Sequence, residues 1–162
     1  MRTLPPSAFA GDDGAPDREL RETLAAQDGT QARYLAAVVQ LCLARLLAPI
    51  LAIPADPAAA SAKQSTMALA ILNSSQGEAA LPVFTGIDTL TKWNSQARPV
   101  PVTLDTAAKA ARAEPDRQVS LVVDPGEPWT LTIDPELLDH FAAGQRLTQT
   151  ADGKFGFLVP PM

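Results

Sequence analysis

The chain has 162 residues, 46% of them hydrophobic and 19% charged, with a formal net charge of −5. That length and composition describe one globular domain able to bury its own core, and they exclude a disordered chain. The acidic balance excludes the electrostatic footprint of a nucleic-acid binder, and no run of Lys or Arg is present to hold an anionic membrane surface.

Residues 1–16, rich in Pro, Gly and Asp, are predicted to be a flexible tail, which places the domain at 17–162. They lack the apolar stretch of a secretory signal. Asp17 is a candidate cap for a helix over 18–26 with Leu20 and Leu24 on one face, and Thr30 for a second with Tyr34, Leu35, Val38, Val39 and Cys42 in a stripe. The apolar stretch 35–53 invites a membrane test, since a spanning helix needs about 20 such residues. Arg45 at its centre would cost roughly 2.5–3.5 kcal/mol to insert, and Pro49 would interrupt it. The pattern instead changes near Ala44 into a strand, "RLLAPILAI", with Pro49 expected near an edge or a bulge. The sole cysteine, Cys42, cannot form an internal disulfide, which fits a reducing, cytoplasmic setting.

Residues 54–65 read as a loop. "TMALAIL" (66–72) and "AALPVFT" (79–85) read as an antiparallel hairpin about "NSSQGE". Thr85 and Asp88 form a Thr-x-x-Asp pattern that predicts a helix start, with Ile87, Leu90 and Trp93 facing inward. "PVPVTL" (99–104) is an edge strand by its prolines, Asp105 caps the helix that follows, and Pro115 ends it. "VSLVV" (119–123) is a central strand and "DPGEP" a turn. "WTLTI" alternates, and Asp134-Pro135 opens a helix that Gly144 closes. A hairpin around Asp152-Gly153 is expected over 146–159. The sum is a mixed α/β (α+β) domain: a single mixed sheet of about five to seven strands with helices packed against it.

Chemistry is hard to find in this pattern. The only histidine, His140, reads as an ordinary helix residue; Ser74 and Ser75 lie in a turn with no G-x-S-x-G around them. One His and one Cys cannot make a usual zinc site, and the acidic "GDDG" at 11–14 falls in the predicted tail. No phosphate-binding glycine loop is present. The pairs Asp134/Glu136 and Asp124/Glu127 read as cap and turn residues, and Thr85 as a cap. No catalytic, metal or cofactor residue is therefore assigned. Trp93 and Trp129 read as core residues or as partner anchors; with Pro99 and Pro101 on the edge strand they form the candidate partner-binding set.

"ALPVFTGIDTLTKW", followed by "ARPVPV" and then "VVDPGEPWTL", resembles the N-terminal domain of the SseB family, named for enhanced serine sensitivity, over roughly residues 30–142. The marks are "LPVFT", Trp93 on the next helix, the Pro-rich strand, and the apolar run into "DPG". The resemblance implies a small bacterial cytoplasmic protein of a kind frequent in actinobacteria, with an α/β fold and no established catalytic residues to carry over. Longer relatives carry a second, C-terminal domain; beyond residue 142 this sequence offers only the expected hairpin. The expectation is a non-enzymatic module that binds another protein, with no nucleic acid, no membrane insertion, no cofactor, and self-association left open. The alternatives are a small-molecule binder or enzyme with an unfamiliar site, for which a pocket lined by Thr85, Asp124 and His140 together would speak, and a secretion-associated or immunity-type partner protein.

Overall fold

The computed structural model describes residues 9, 11–54, 65–113 and 116–161. Two capped helices come first, as their spacing predicts. The Asp17 carboxylate accepts the Leu20 N–H at the start of α1 (Arg18–Ala25), and the Thr30 hydroxyl accepts the Arg33 N–H at the start of α2 (Gln31–Leu43). The 35–53 stretch divides between α2 and strand β1 (Leu46–Pro54), and among the described residues no helix is long and apolar enough to cross a membrane.

The single sheet expected from the sequence is replaced by three small ones. β1 is the middle strand of an antiparallel set, between β2 (Ser65–Leu69) and β5 (Arg98–Val102). The second sheet holds β3 (Leu72–Asn73), β4 (Ala79–Val83), β6 (Val119–Val123) and β7 (Leu131–Ile133), in that order. β4 and β6 run parallel; its other two pairs are antiparallel. The third is the expected hairpin of β8 (Arg146–Gln149) and β9 (Phe155–Leu158).

The 66–85 hairpin is corrected by this arrangement. Its first strand is divided: Ser65–Leu69 pairs with β1, and only Leu72 and Asn73 pair with β4. The changeover falls at Ala70, whose N–H reaches the Pro49 carbonyl at 3.3 Å. A continuous apolar run has no alternation to say which sheet it joins, so one run of residues can serve two. Of the loop read over 54–65, residues 55–64 lie outside the described residues, as does Pro115.

Pro49 is likewise not at an edge. It sits in the central strand opposite Pro99, a pairing in which neither residue has an N–H to give. Such a pair occupies a non-hydrogen-bonded position of the ladder, so Pro49 costs the β1–β5 pairing nothing. Leu47, two residues earlier, shows the same phase. It lies opposite Pro101 yet exchanges both of its main-chain bonds with Phe84, at 2.8 Å each. That isolated bridge joins the first sheet to the second.

The odd-numbered residues of the four-stranded sheet, among them Leu81, Val83, Leu121, Val123, Leu131 and Ile133, face the main core. There they meet α1, α2, α4 (Leu104–Arg112) and α5 (Pro135–Ala142), which bring Leu20, Leu24, Val38, Leu41, Ala108 and Phe141. A second cluster, Leu47, Phe84, Leu90 and Ala97, sits under α3 (Ile87–Trp93). The N-cap of α4 is Thr103 rather than the expected Asp105; Asp105 lies in the first turn, hydrogen-bonded to the Thr103 hydroxyl. Asp134 does occupy the N-cap of α5 ahead of Pro135, though its side chain makes no capping bond.

The outer edge of β7 is closed by Tyr34, whose hydroxyl donates to the Thr132 carbonyl at 2.8 Å. Burial pushes this phenol up to about 12. The fold thus favours the neutral form, so the contribution is complete below the ordinary pKa of about 10 and is lost as pH rises through about 12. Tyr34 is the only tyrosine. An alkaline absorbance titration should therefore show one phenolate step, displaced upward from that of the urea-unfolded chain; coincident titrations would show that the phenol is not buried against β7.

Candidate functional site

In open α/β sheets, ligands settle outside the carboxyl ends of parallel strands. Here β4 runs on into Thr85 and β6 into Asp124. Asp124 extends the ladder through its N–H to the Val83 carbonyl (2.9 Å), then turns with φ of 48°, the one positive value at a non-glycine among the described residues. Its side chain is 0% exposed. One carboxylate oxygen accepts the Thr85 N–H at 2.9 Å and the Thr89 hydroxyl at 2.8 Å. The other accepts the Thr85 hydroxyl at 2.5 Å and the Trp129 indole N–H at 2.8 Å. A buried carboxylate is stable only when its lone pairs are met in this way.

The counter-charge comes from α1. Arg21 Nε donates to the Thr85 hydroxyl oxygen at 2.8 Å and lies 3.8 Å from the Asp124 carboxylate. The other two guanidinium nitrogens grip Asp88 at 2.8 and 2.6 Å, and the guanidinium carbon lies 5.3 Å from the centre of the Trp129 ring. The hydrogen bonds from Arg21 hold the Asp88 carboxyl below the usual range, and the same pairing raises Arg21. Thr85 donates a hydrogen bond to Asp124 and accepts one from Arg21, so its hydroxyl is committed in both directions.

The segment before α1 closes the top. The Ile87 N–H reaches the Gly14 carbonyl at 2.7 Å; Arg45 binds Asp12 at 2.7 Å, the Ala15 carbonyl at 2.6 Å and the Thr85 carbonyl at 3.0 Å. Asp13 accepts the Ala15 N–H at 2.9 Å. Of the tail expected over 1–16, residues 11–16 thus carry defined contacts, while residues 1–8 and 10 lie outside the described residues. The acidic pair of "GDDG" is spent on Arg45 and a local turn.

Thr85 is therefore not the helix cap that its spacing predicts. The N-cap of α3 is Gly86, which makes no side-chain bond. Gly86 is set by space, since its φ of −158° is ordinary extended backbone. A Cβ there would meet an Asp88 carboxylate oxygen at 2.6 Å, Arg21 at 2.9 Å and the Pro16 ring at 2.9 Å. Gly86→Ala should cost about 1–3 kcal/mol through this overpacking. Urea unfolding reads the cost directly, and an unchanged midpoint would mean that the closing segment yields freely.

The other singled-out residues lie in ordinary surroundings. Trp93 is half-buried against Phe84, ring centroids 5.4 Å apart. Trp129 is half-buried and held at both ends, by Asp124 and Arg21. Pro99 is exposed and Pro101 half-buried on β5, which is an edge strand as expected. His140 is exposed on α5, bonded to Gln145 at 2.8 Å and stacked on Phe157 at 4.0 Å; it is no neighbour of Asp124 in any contact. Ser74 accepts the Gln76 and Glu78 N–H groups and so closes its turn. Cys42 is half-buried, its thiol pushed up by burial. Arg21 and Thr89 were missed by sequence reasoning. Arg21 is 64 positions from Thr85, and an arginine on a short amphipathic helix carries no sign of its partner.

The opposite face of the four-stranded sheet, where Ala80, Ser120, Val122 and Thr132 point, is lined by small side chains and forms an open groove of about 840 Å³. Glu78, Asp116 and Asp134 line it too. Because β7 runs against β4 and β6, all three stand at the same end of the sheet, away from Asp124.

The class defined here is a mixed α/β domain whose strand-end crevice is filled by its own arginine, threonines and tryptophan. Residues 20–140 match the SseB protein N-terminal domain, and the chain belongs to the SseB family. The matched span starts ten residues earlier than the resemblance in the sequence suggested, and so takes in Arg21 with the rest of the cluster. No match is found among curated proteins or among solved structures.

Proposed function

We propose that this domain is a non-enzymatic module that binds another protein through its exterior. The observation carrying this reading is the commitment of the strand-end cluster: both Asp124 oxygens, the Thr85 hydroxyl and the Trp129 N–H each have an internal partner, so the place where this architecture usually receives a ligand is spent on holding the fold. The groove on the other sheet face is the surface left to meet a partner. Its small side chains allow close approach, and at one end Glu78, Asp116 and Asp134 outnumber Arg117, which favours a partner with basic groups there.

The test is affinity purification from the native cell, comparing the wild type with a Ser120→Arg/Thr132→Lys double variant. Trp129→Ala is a poor probe, because the indole N–H supports Asp124. A protein held by the wild type and lost from the variant, at equal melting temperature, supports the reading. Equal recovery by both removes this face from it. The groove also favours a second reading, a small-molecule ligand; a thermal shift of the wild type but not of the variant, in protein-free cell extract, would choose that instead.

A further inference from the structure

Sheet edges are templates for pairing, and three edges here are blunted. On β5, Pro99 and Pro101 lie opposite Pro49 and Leu47, in the positions whose main-chain groups point away from β1; the outward edge therefore lacks two donors. On β7 the outward Thr132 carbonyl is taken by Tyr34. β3 is only Leu72–Asn73. The free side of β8 is covered by α2, which packs against it, with Cys42 and Leu147 in the same cluster.

β9 has no such protection. The Thr150 N–H bonds the Lys154 carbonyl at 2.8 Å, which sets the phase of this hairpin: Lys154, Gly156 and Leu158 bond toward β8, and Phe155, Phe157 and Val159 turn their N–H and C=O groups outward. The side chains alternate between the two faces: Phe155 and Phe157 pack on the core and Leu158, on the other face, is 60% exposed; Val159, just past the strand, is 68% exposed. A Cβ added at Gly156, on the Leu158 face, would meet nothing within 4 Å.

We infer that β9 is a self-association edge, occupied by β9 of a second copy of this chain in antiparallel register with Phe157 opposite Phe157. The outward groups select that register. Phe157 then exchanges its two main-chain bonds with Phe157 of the second copy, and Phe155 exchanges its own with Val159. The same register sets Leu158 of each copy opposite Gly156 of the other, so that the exposed leucine fills the space which the glycine leaves open. Pro161, at the next outward position, has no N–H and ends the ladder. The result is a two-fold sheet β8-β9-β9-β8, an isologous contact that closes at two copies. A charged or polar partner would leave Leu158 and Val159 unmet; a second copy covers them with itself. This inference stands apart from the proposed partner groove, which lies on a different sheet.

The test is sedimentation equilibrium across a wide concentration range, with two variants outside the core. Val159→Pro removes one outward N–H, and Leu158→Asp places like charges against the glycine gap. A concentration-dependent dimer, weakened at least tenfold by each variant at unchanged circular dichroism, is expected. Register is read by cysteine pairing in a Cys42→Ser background. A mixture of Gly156→Cys and Leu158→Cys chains should form the mixed disulfide in oxidised glutathione, because opposed residues at a non-hydrogen-bonded position lie about 4.5 Å apart at Cα. Each variant alone should cross-link poorly. A monomer at every concentration, a dimer indifferent to both variants, or cross-linking of Gly156→Cys with itself overturns the inference.

Discussion

Asp124→Ala is expected to cost about 3–5 kcal/mol, the range for removing one member of a buried charged network. It would leave the Thr85 N–H and hydroxyl, the Thr89 hydroxyl and the Trp129 N–H without their acceptor, and Arg21 beside an apolar methyl. A domain of this kind is stable by about 5–15 kcal/mol in all, so the variant should be marginal at growth temperature. Asp124→Asn separates charge from shape. Asparagine tolerates the left-handed backbone as well as aspartate does, yet its amide nitrogen must face either the Thr85 hydroxyl and the indole or the Thr85 N–H and Thr89. A donor pressed against donors should cost about 1–3 kcal/mol. Urea unfolding followed by tryptophan fluorescence reads both, since Trp129 is part of the network. If Asp124→Ala loses less than about 1 kcal/mol, water has replaced the carboxylate and the cluster is not the keystone of this end.

Phe84→Ala carries the second large effect, about 3–5 kcal/mol for a fully buried aromatic. For a chain of this length that lowers the melting temperature by roughly 6–20 °C. The position matters beyond its volume. Phe84 is where the first sheet meets the second, through paired main-chain bonds to Leu47, and its ring fills the space among Leu47, Leu90, Ala97 and Trp93. Hydrogen exchange should locate the damage: amides of Leu47 and Phe84 lose protection while those of β6, inside the main core, keep most of theirs. Uniform loss across both sheets would mean that the two clusters melt as one unit.

Local grammar was readable where the deciding contacts are local. Asp17, Thr30 and Asp134 mark helix starts, the change near Ala44 marks the end of α2, and Asp152-Gly153 marks the last hairpin, because caps and tight turns are settled within a few residues. What failed depended on distance along the chain. Residues 66–72 could not reveal that they serve two sheets, and Pro49 read as an edge or bulge residue because the ladder phase that accommodates it is set by strands distant in the chain. Thr85 is the instructive case. Its spacing to Asp88 imitates a capping pattern, but a buried carboxylate from β6 and a guanidinium from α1 compete for the same hydroxyl, and charge-assisted bonds prevail over a neutral cap. Asp124 was legible as a turn residue, and the turn is there: the Glu127 N–H bonds its carbonyl at 3.2 Å. Nothing nearby announced that its side chain turns inward.

Ala37, Ala107, Ala108 and Ala111 are all buried where the helices meet. Methyl-sized groups at a helix crossing set a short interaxial distance, near the lower end of the 8–10 Å range. An interior assembled this way has no slack for growth. Drift toward valine or leucine at Ala108 would have to lever whole helices apart, so these small residues should prove as resistant to replacement over evolutionary time as the leucines around them.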